Sequence, residues 1–204
     1  DADIMCVAIH GTGKSSSDLC LTGPGMTQDE YRTQFALWCM WSSPLLLSFD
    51  LNQPLSEDDR ALITNKELIA IDQDELAQPA DFVAREGDLY YFEKPLSNGD
   101  VAIAVTNVGE KIQNFRLDLS RFPLTKGFRA FSVRDCQQLT DIGAVKGGFD
   151  TSVRSHATLV YRLSENIEIG NIVRRNLKKT LAPEEPKKKT TVPHTSTAPK
   201  RVNK

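Results

Sequence analysis

At 204 residues with 40% apolar side chains, the chain has material for one domain or a domain and a half around a real core, which excludes a fibrous protein. Its longest apolar runs fall far short of the roughly 20 residues that span a bilayer, so no membrane partner is expected. The net charge of −2 hides an asymmetry: residues 164–204 carry ten Lys or Arg against four acids, and residues 1–163 carry 15 against 23.

The chain opens on Asp1-Ala2-Asp3, two carboxylates one residue apart, and runs straight into the apolar stretch Ile4 to Ile9. Alternation puts Asp1 and Asp3 on one face of a strand and Ala2 on the other. Acids at the rim of a buried strand, with no element before it to pair with, are what a chain that has lost its beginning is expected to show.

Thr27 followed by Glu30 is a capping-box signature, with Met26 and Tyr31 placed to close a hydrophobic staple, so a helix is predicted from about Gln28. Its apolar positions include Tyr31, Phe35 and Trp38 on one stripe, with Leu37, Met40 and Trp41 filling the other sides, as in a helix buried among neighbours. Ser43-Pro44 ends it. Leu45 to Phe49 is then apolar without alternation, which predicts a parallel strand covered on both faces. Ser56 with Asp59 signals a second helix through Ile63, and Leu68, Ile69 and Ile71 a third, closing at Asp72-Gln73-Asp74. This alternation of strand and helix predicts an α/β unit.

After Gln78-Pro79 the character changes. Leu89 to Glu93 reads as a strand, and Asn98-Gly99 turns it into Val101 to Val105 as a hairpin. Further β-rich runs at 112–119, 128–133, 138–142, 149–153 and 158–163 predict an antiparallel sandwich. The last stretch, with Pro183, Pro186, Pro193, Pro199 and Lys187 to Lys189, lacks the apolar content to order itself and is expected to be a solvated, disordered extension. Without interleaved aromatics or a binding motif, it is not expected to bind nucleic acid.

Ala8 to Ser15 fits a relaxed phosphate-loop pattern. The chemistry of that loop needs a helix to begin at its Lys-Ser, and Lys14-Ser15 is followed too soon by Thr22-Gly23-Pro24-Gly25, so no nucleotide is expected there. His10 is expected to be a hydrogen-bonding loop residue, and His156 a structural one. Trp38 and Trp41 could stack on sugar, but helical spacing in an apolar segment favours core packing. The four cysteines match no metal or redox spacing; they are expected to be mostly free, buried thiols, with Cys6 and Cys20 the only plausible local pair.

The DADIM run, the MTQDEYRTQFALWCMWSSPLLLSFDL block, the LITNKELIAIDQD helix and the EKPLSNGDVAIAVTN hairpin together resemble the C-terminal part of the α-galactosidases of glycoside hydrolase family 27, over Asp1 to about Leu163. The resemblance implies a mixed α/β plus all-β fold. Residues 1–78 would form the last strands and helices of a (β/α)8 barrel, residues 79–163 an antiparallel β-sandwich, and residues 164–204 a basic tail with no counterpart in the family. It implies retaining hydrolysis of terminal α-D-galactosides by a nucleophile and a general acid/base, both on earlier strands, so that neither Asp1 nor Asp3 takes either role. By position Asp3 would line the galactose pocket, and Ile4 would form pocket wall where the family often has Met. No cofactor or metal is implied, and the isolated chain would be inert. The other reading of a different class is a stand-alone β-sandwich that binds carbohydrate or another protein. On sequence, the sandwich looks able to stand alone from about Ala80, and residues 1–75 look prone to aggregate.

Overall fold

The computed structural model describes residues 4–11, 23, 25–50, 52–127 and 130–166. Helix α1 covers Gln28–Met40, α2 Glu57–Ile63 and α3 Lys66–Asp72. Eight strands follow: β1 Asp81–Glu86, β2 Leu89–Pro95, β3 Val101–Asn107, β4 Gln113–Asp118, β5 Ala130–Asp135, β6 Thr140–Lys146, β7 Gly148–Val153 and β8 Thr158–Glu165.

Each helix starts where its side chains can satisfy the free backbone N–H groups of the first turn. At α1 the capping box is complete: the Thr27 hydroxyl accepts from Glu30 N–H, and the Glu30 carboxylate accepts from Thr27 N–H at 2.7 Å. Ser56 caps α2 in the same way through Asp59 N–H at 3.1 Å. Asn65 caps α3, accepting from Glu67 and Leu68 N–H.

The expected strands at 4–9 and 45–49 are reduced to one parallel bridge between Met5 and Leu47. The chain turns at Val7-Ala8, with Ala8 at φ 65°, so the first run is not extended to Ile9. Nor is the second run covered on both faces, since Leu46 and Leu47 are 50% and 40% exposed. Parallel pairs of apolar strands need neighbours on both sides and layers on both faces, and the described residues supply only some of these.

The antiparallel half follows expectation more closely. A six-stranded sheet has the order β1-β2-β3-β8-β5-β6, and a two-stranded sheet pairs β4 with β7. The turn between β2 and β3 is closed by Gly99 N–H to Leu96 O and Leu96 N–H to Asp100 O, with Gly99 at φ +86°, a conformation glycine adopts without a Cβ penalty. Strand β1 was not anticipated; it is an edge strand with four of its six residues exposed, so it carries no alternation of burial to read.

Central strand β3 is buried at every position because both faces of the six-stranded sheet are covered. Val101, Ile103 and Val105 face a core with Leu117, Phe122, Val153 and Tyr161, roofed by β4 and β7. Ala102 and Ala104, on the opposite face, join Leu96, Cys136 and Val160 in a second core with Tyr31, Phe35, Cys39, Leu68 and Ile71 of the helices. The small side chains of β3 lie where α1 packs, and this permits close approach.

The expectation of free thiols holds at Cys39 and Cys136 and is corrected at Cys6, which is disulfide-bonded. Cys20, its expected local partner, lies outside the described residues, as do most of the phosphate-loop-like segment and the tail beyond Asn166. Among the described residues no helix is long and apolar enough to cross a membrane.

Candidate functional site

The first turns of α1 organise the segment that precedes it. Gln34 Oε1 accepts from Cys6 N–H at 2.9 Å, and the Tyr31 hydroxyl oxygen accepts from His10 N–H at 2.8 Å and from Met26 N–H at 3.3 Å. Met5 N–H donates to Leu46 O at 2.9 Å, and Ser48 Oγ donates to Met5 O at 2.6 Å, which extends the bridge by two side-by-side contacts. These ties hold Ala8 and His10 at positive φ, 65° and 57°. Gly25 backs onto this turn so tightly that a Cβ there would come within 2.8 Å of the His10 carbonyl carbon. Strained backbone fixed by several side chains is a feature of loops that position functional groups.

His10 projects from that loop with its side chain half exposed. Its Nε2 lies 2.6 Å from Asp59 Oδ2, and its ring meets Tyr31 edge to face with centroids 5.2 Å apart. Asp59 is buried, its side chain only 1% exposed. Oδ2 also accepts from Ser56 Oγ at 2.6 Å, and the side-chain amide of Gln28 lies beside the carboxylate. Burial pushes the Asp59 pKa up, but hydrogen bonds from Ser56 and His10, with help from Gln28, outweigh it and hold the carboxyl below its ordinary value. A buried ionised acid is thus kept beside a half-exposed imidazole.

These groups line a cleft of about 330 Å³ between the Ala8–His10 turn and the segment from Ser48 to Ser56. Asp50 at its rim is exposed and organises its own loop, its carboxylate accepting from Asn52 N–H and Nδ2 at 2.9 Å and holding the acid below its ordinary value.

Of the two residues expected to touch substrate, Asp3 lies outside the described residues. Ile4 is 58% exposed, directly before the Met5–Leu47 bridge, and is not among the residues lining the cleft. His10 is a hydrogen-bonding loop residue, as expected. His156 has a carboxylate neighbour that its sequence surroundings do not show, its Nε2 lying 3.3 Å from Glu110 Oε2. Trp38 packs half-buried against the helical core, and Trp41 sits between Trp38 and Phe92 with centroids 6.0 and 6.2 Å away. The partnership of Asp59 with His10 was not legible in the sequence, where Asp59 reads only as part of a helix start 49 residues away.

Comparison with known proteins bears on what this arrangement belongs to. A family model described as the α-galactosidase C-terminal β-sandwich domain matches residues 86–163, and one described as α-galactosidase A matches residues 1–74. The chain belongs to the α-galactosidase family, glycoside hydrolase family 27. It is 35% identical over 146 residues to α-galactosidase A of Aspergillus niger, an alignment covering 69% of this chain and 26% of that protein. It is 33% identical over 156 residues to α-galactosidase A of Cellvibrio japonicus, covering 72% and 38%. Among solved structures, a family 27 β-L-arabinopyranosidase from Geobacillus stearothermophilus matches with a TM-score of 0.68 at 27% identity, over 80% of this chain and 36% of that one. The α-galactosidase of Saccharomyces cerevisiae solved with raffinose shares the fold, with a TM-score of 0.66 at 19% identity, covering 80% and 46%. The chain therefore spans about a quarter to two fifths of the length of the curated relatives it matches.

Proposed function

We propose that this chain is the C-terminal portion of a retaining α-galactosidase acting on terminal α-D-galactosides. In this reading residues 1–78 supply the last strands and helices of a (β/α)8 barrel, residues 79–163 are its sandwich, and residues 164–204 are a basic extension. The observation that carries it is the parallel bridge of Met5 to Leu47 with α1 between the two segments. A strand, a crossover helix and a parallel strand form the repeating unit of such a barrel. Exposed Ile4, Leu46 and Leu47 around the bridge are the side chains that neighbouring strands would cover, which favours this reading over a stand-alone sandwich.

In the complete enzyme Asp3 would line the galactose pocket, and Ile4 would form part of its wall. Retaining hydrolysis needs two carboxyl groups about 5–5.5 Å apart, one attacking the anomeric carbon and the other protonating the leaving oxygen and then activating water. The family places both on earlier strands, so the chain by itself has neither nucleophile nor proton donor. Incubation with p-nitrophenyl α-D-galactoside is expected to release nitrophenol at the buffer rate. Release above that rate, with the galactose product retaining its anomeric configuration, would show that residues of this chain carry out the reaction and would overturn the assignment.

A further inference from the structure

Strand β6 ends the six-stranded sheet and, among the described residues, pairs only with β5. All of its residues are exposed except Val145, which is half-buried. An edge strand carries a row of backbone N–H and C=O groups that another strand can pair with, and charges or a bulge commonly guard it. Here both are present, so their arrangement decides whether the edge is closed or open to one kind of partner.

Asp141-Ile142-Gly143-Ala144-Val145-Lys146 reads the same from either end in size and polarity, with opposite charges at its two ends. Two copies laid antiparallel about a two-fold axis between Gly143 and Ala144 set Asp141 of each against Lys146 of the other, and Ile142 against Val145. Side chains opposed in this way share a face of the sheet. On a regular strand Asp141 and Lys146, five residues apart, would lie on opposite faces. The register shift in β6 removes that obstacle: Asp141 pairs with Arg134 and Lys146 with Ala130, four residues apart on β5 and therefore on one face. The irregularity falls beside Gly143, which has no side chain, holds φ +103° and has open space where a Cβ would stand. Asp141 is 80% exposed and lies 3.3 Å from Arg134, whose charge Glu67 already balances at 2.7 Å, so the Asp141 carboxylate can take a second cation.

The other edge of the sheet lacks this match. On β1 the register shift pairs Asp81 with Glu93 and Arg85 with Tyr90, three residues apart on β2, so the acid and the base lie on opposite faces.

We propose that β6 is a self-recognition edge, through which two copies of this chain pair antiparallel and join their six-stranded sheets into one. The two-fold axis repeats the Asp141–Lys146 contact on both sides of the junction. The inference stands independently of the α-galactosidase reading.

The test is sedimentation velocity of the full chain over a concentration series, with substitutions at the two charged ends of the strand. Wild type is expected to pass from monomer to dimer with a dissociation constant of about 1–100 μM, as suits a small interface, and to associate more weakly in high salt. Asp141→Lys sets like charge against Lys146 twice per dimer, and Lys146→Asp does the same against Asp141. Each is expected to weaken association about tenfold or more. Mixed in equal amounts, the two variants are expected to pair with each other about as tightly as wild type, because each supplies the charge the other has lost. Misfolded variants would not recover in this way. A wild type that stays monomeric at every concentration would overturn the proposal, as would a mixture that associates no more tightly than its components. Association untouched by either substitution would also overturn it, placing the contact on another surface such as exposed Leu46 and Leu47.

Discussion

Asp59 is the residue whose surroundings constrain it most. Its carboxylate serves the α2 cap through Ser56 and the preceding loop through His10, and replacing it with Asn removes the ionised acceptor from both. Hydrogen bonds to charged groups contribute about 1.5–3 kcal/mol, so Asp59→Asn is expected to lower stability by about that much, read as a fall in the urea midpoint at pH 7. The pH dependence follows from the depressed folded-state value: the stabilisation is complete above the unfolded pKa of about 3.9 and is lost as pH falls through the folded value. The gap between wild type and Asp59→Asn should therefore narrow below pH 4. A gap that stays constant to pH 2.5 would show that the ionised form contributes nothing.

At the scale of the elements, local chemistry was legible and long-range pairing was not. Thr27-Glu30 and Ser56-Asp59 mark helix starts because the side chains and the N–H groups they satisfy are three residues apart. The turn at Asn98-Gly99 was readable for the same reason. Leu45 to Phe49 was read correctly as apolar and in a parallel pairing, but its single bridge depends on Met5, forty-two residues earlier, and on neighbours that no local pattern encodes. The His10–Asp59 contact was likewise beyond reach of spacing, since it joins segments whose paths are set by packing. Three substitutions test the element-level account. Thr27→Ala removes one half of the capping box and is expected to cost about 1 kcal/mol, with faster hydrogen exchange confined to the first turn of α1. At Gly148 a Cβ would fall 2.3 Å from Leu117 O, against the paired backbone of β4, and φ is +156°. Gly148→Ala is expected to cost about 1–3 kcal/mol and to loosen the β4–β7 pair, while Gly127→Ala, whose Cβ would meet nothing within 4 Å, bears only the cost of its positive φ.

Across the whole molecule, the helices and the sheet are fastened together by much more than the connecting residues. The helical core penetrates the sheet face through Leu96, Ala102, Ala104, Cys136 and Val160. Around it, Asn65 Nδ2 donates to Cys136 O at 2.9 Å, Thr33 Oγ1 to His156 O at 2.8 Å, and Arg134 grips Glu67 through two nitrogens at 2.7 and 3.0 Å. Lys94, buried on β2, donates to Ser42 Oγ at 2.6 Å and to Cys39 O at 3.3 Å, placing a cation on the C-terminal end of α1, where the helix dipole favours it. Burial lowers the Lys94 pKa, opposed by Asp72 and Asp74, so the amine depends on the helices for its compensating charges. This alters the expectation that the sandwich from Ala80 onward is the self-sufficient half. Cutting there strips the roof from one face of the central sheet, leaves Lys94 without its acceptors, and exposes Phe92, Ala102, Ala104 and Val160 as one apolar surface. A protein comprising residues 80–166 is accordingly expected to be less soluble than the full chain, to bind more of a hydrophobic dye, and to unfold at lower urea concentration. Equal midpoints and equal dye binding would show that the two-stranded roof of β4 and β7 alone sustains the sheet, and that the contacts across the helical face add nothing to its stability.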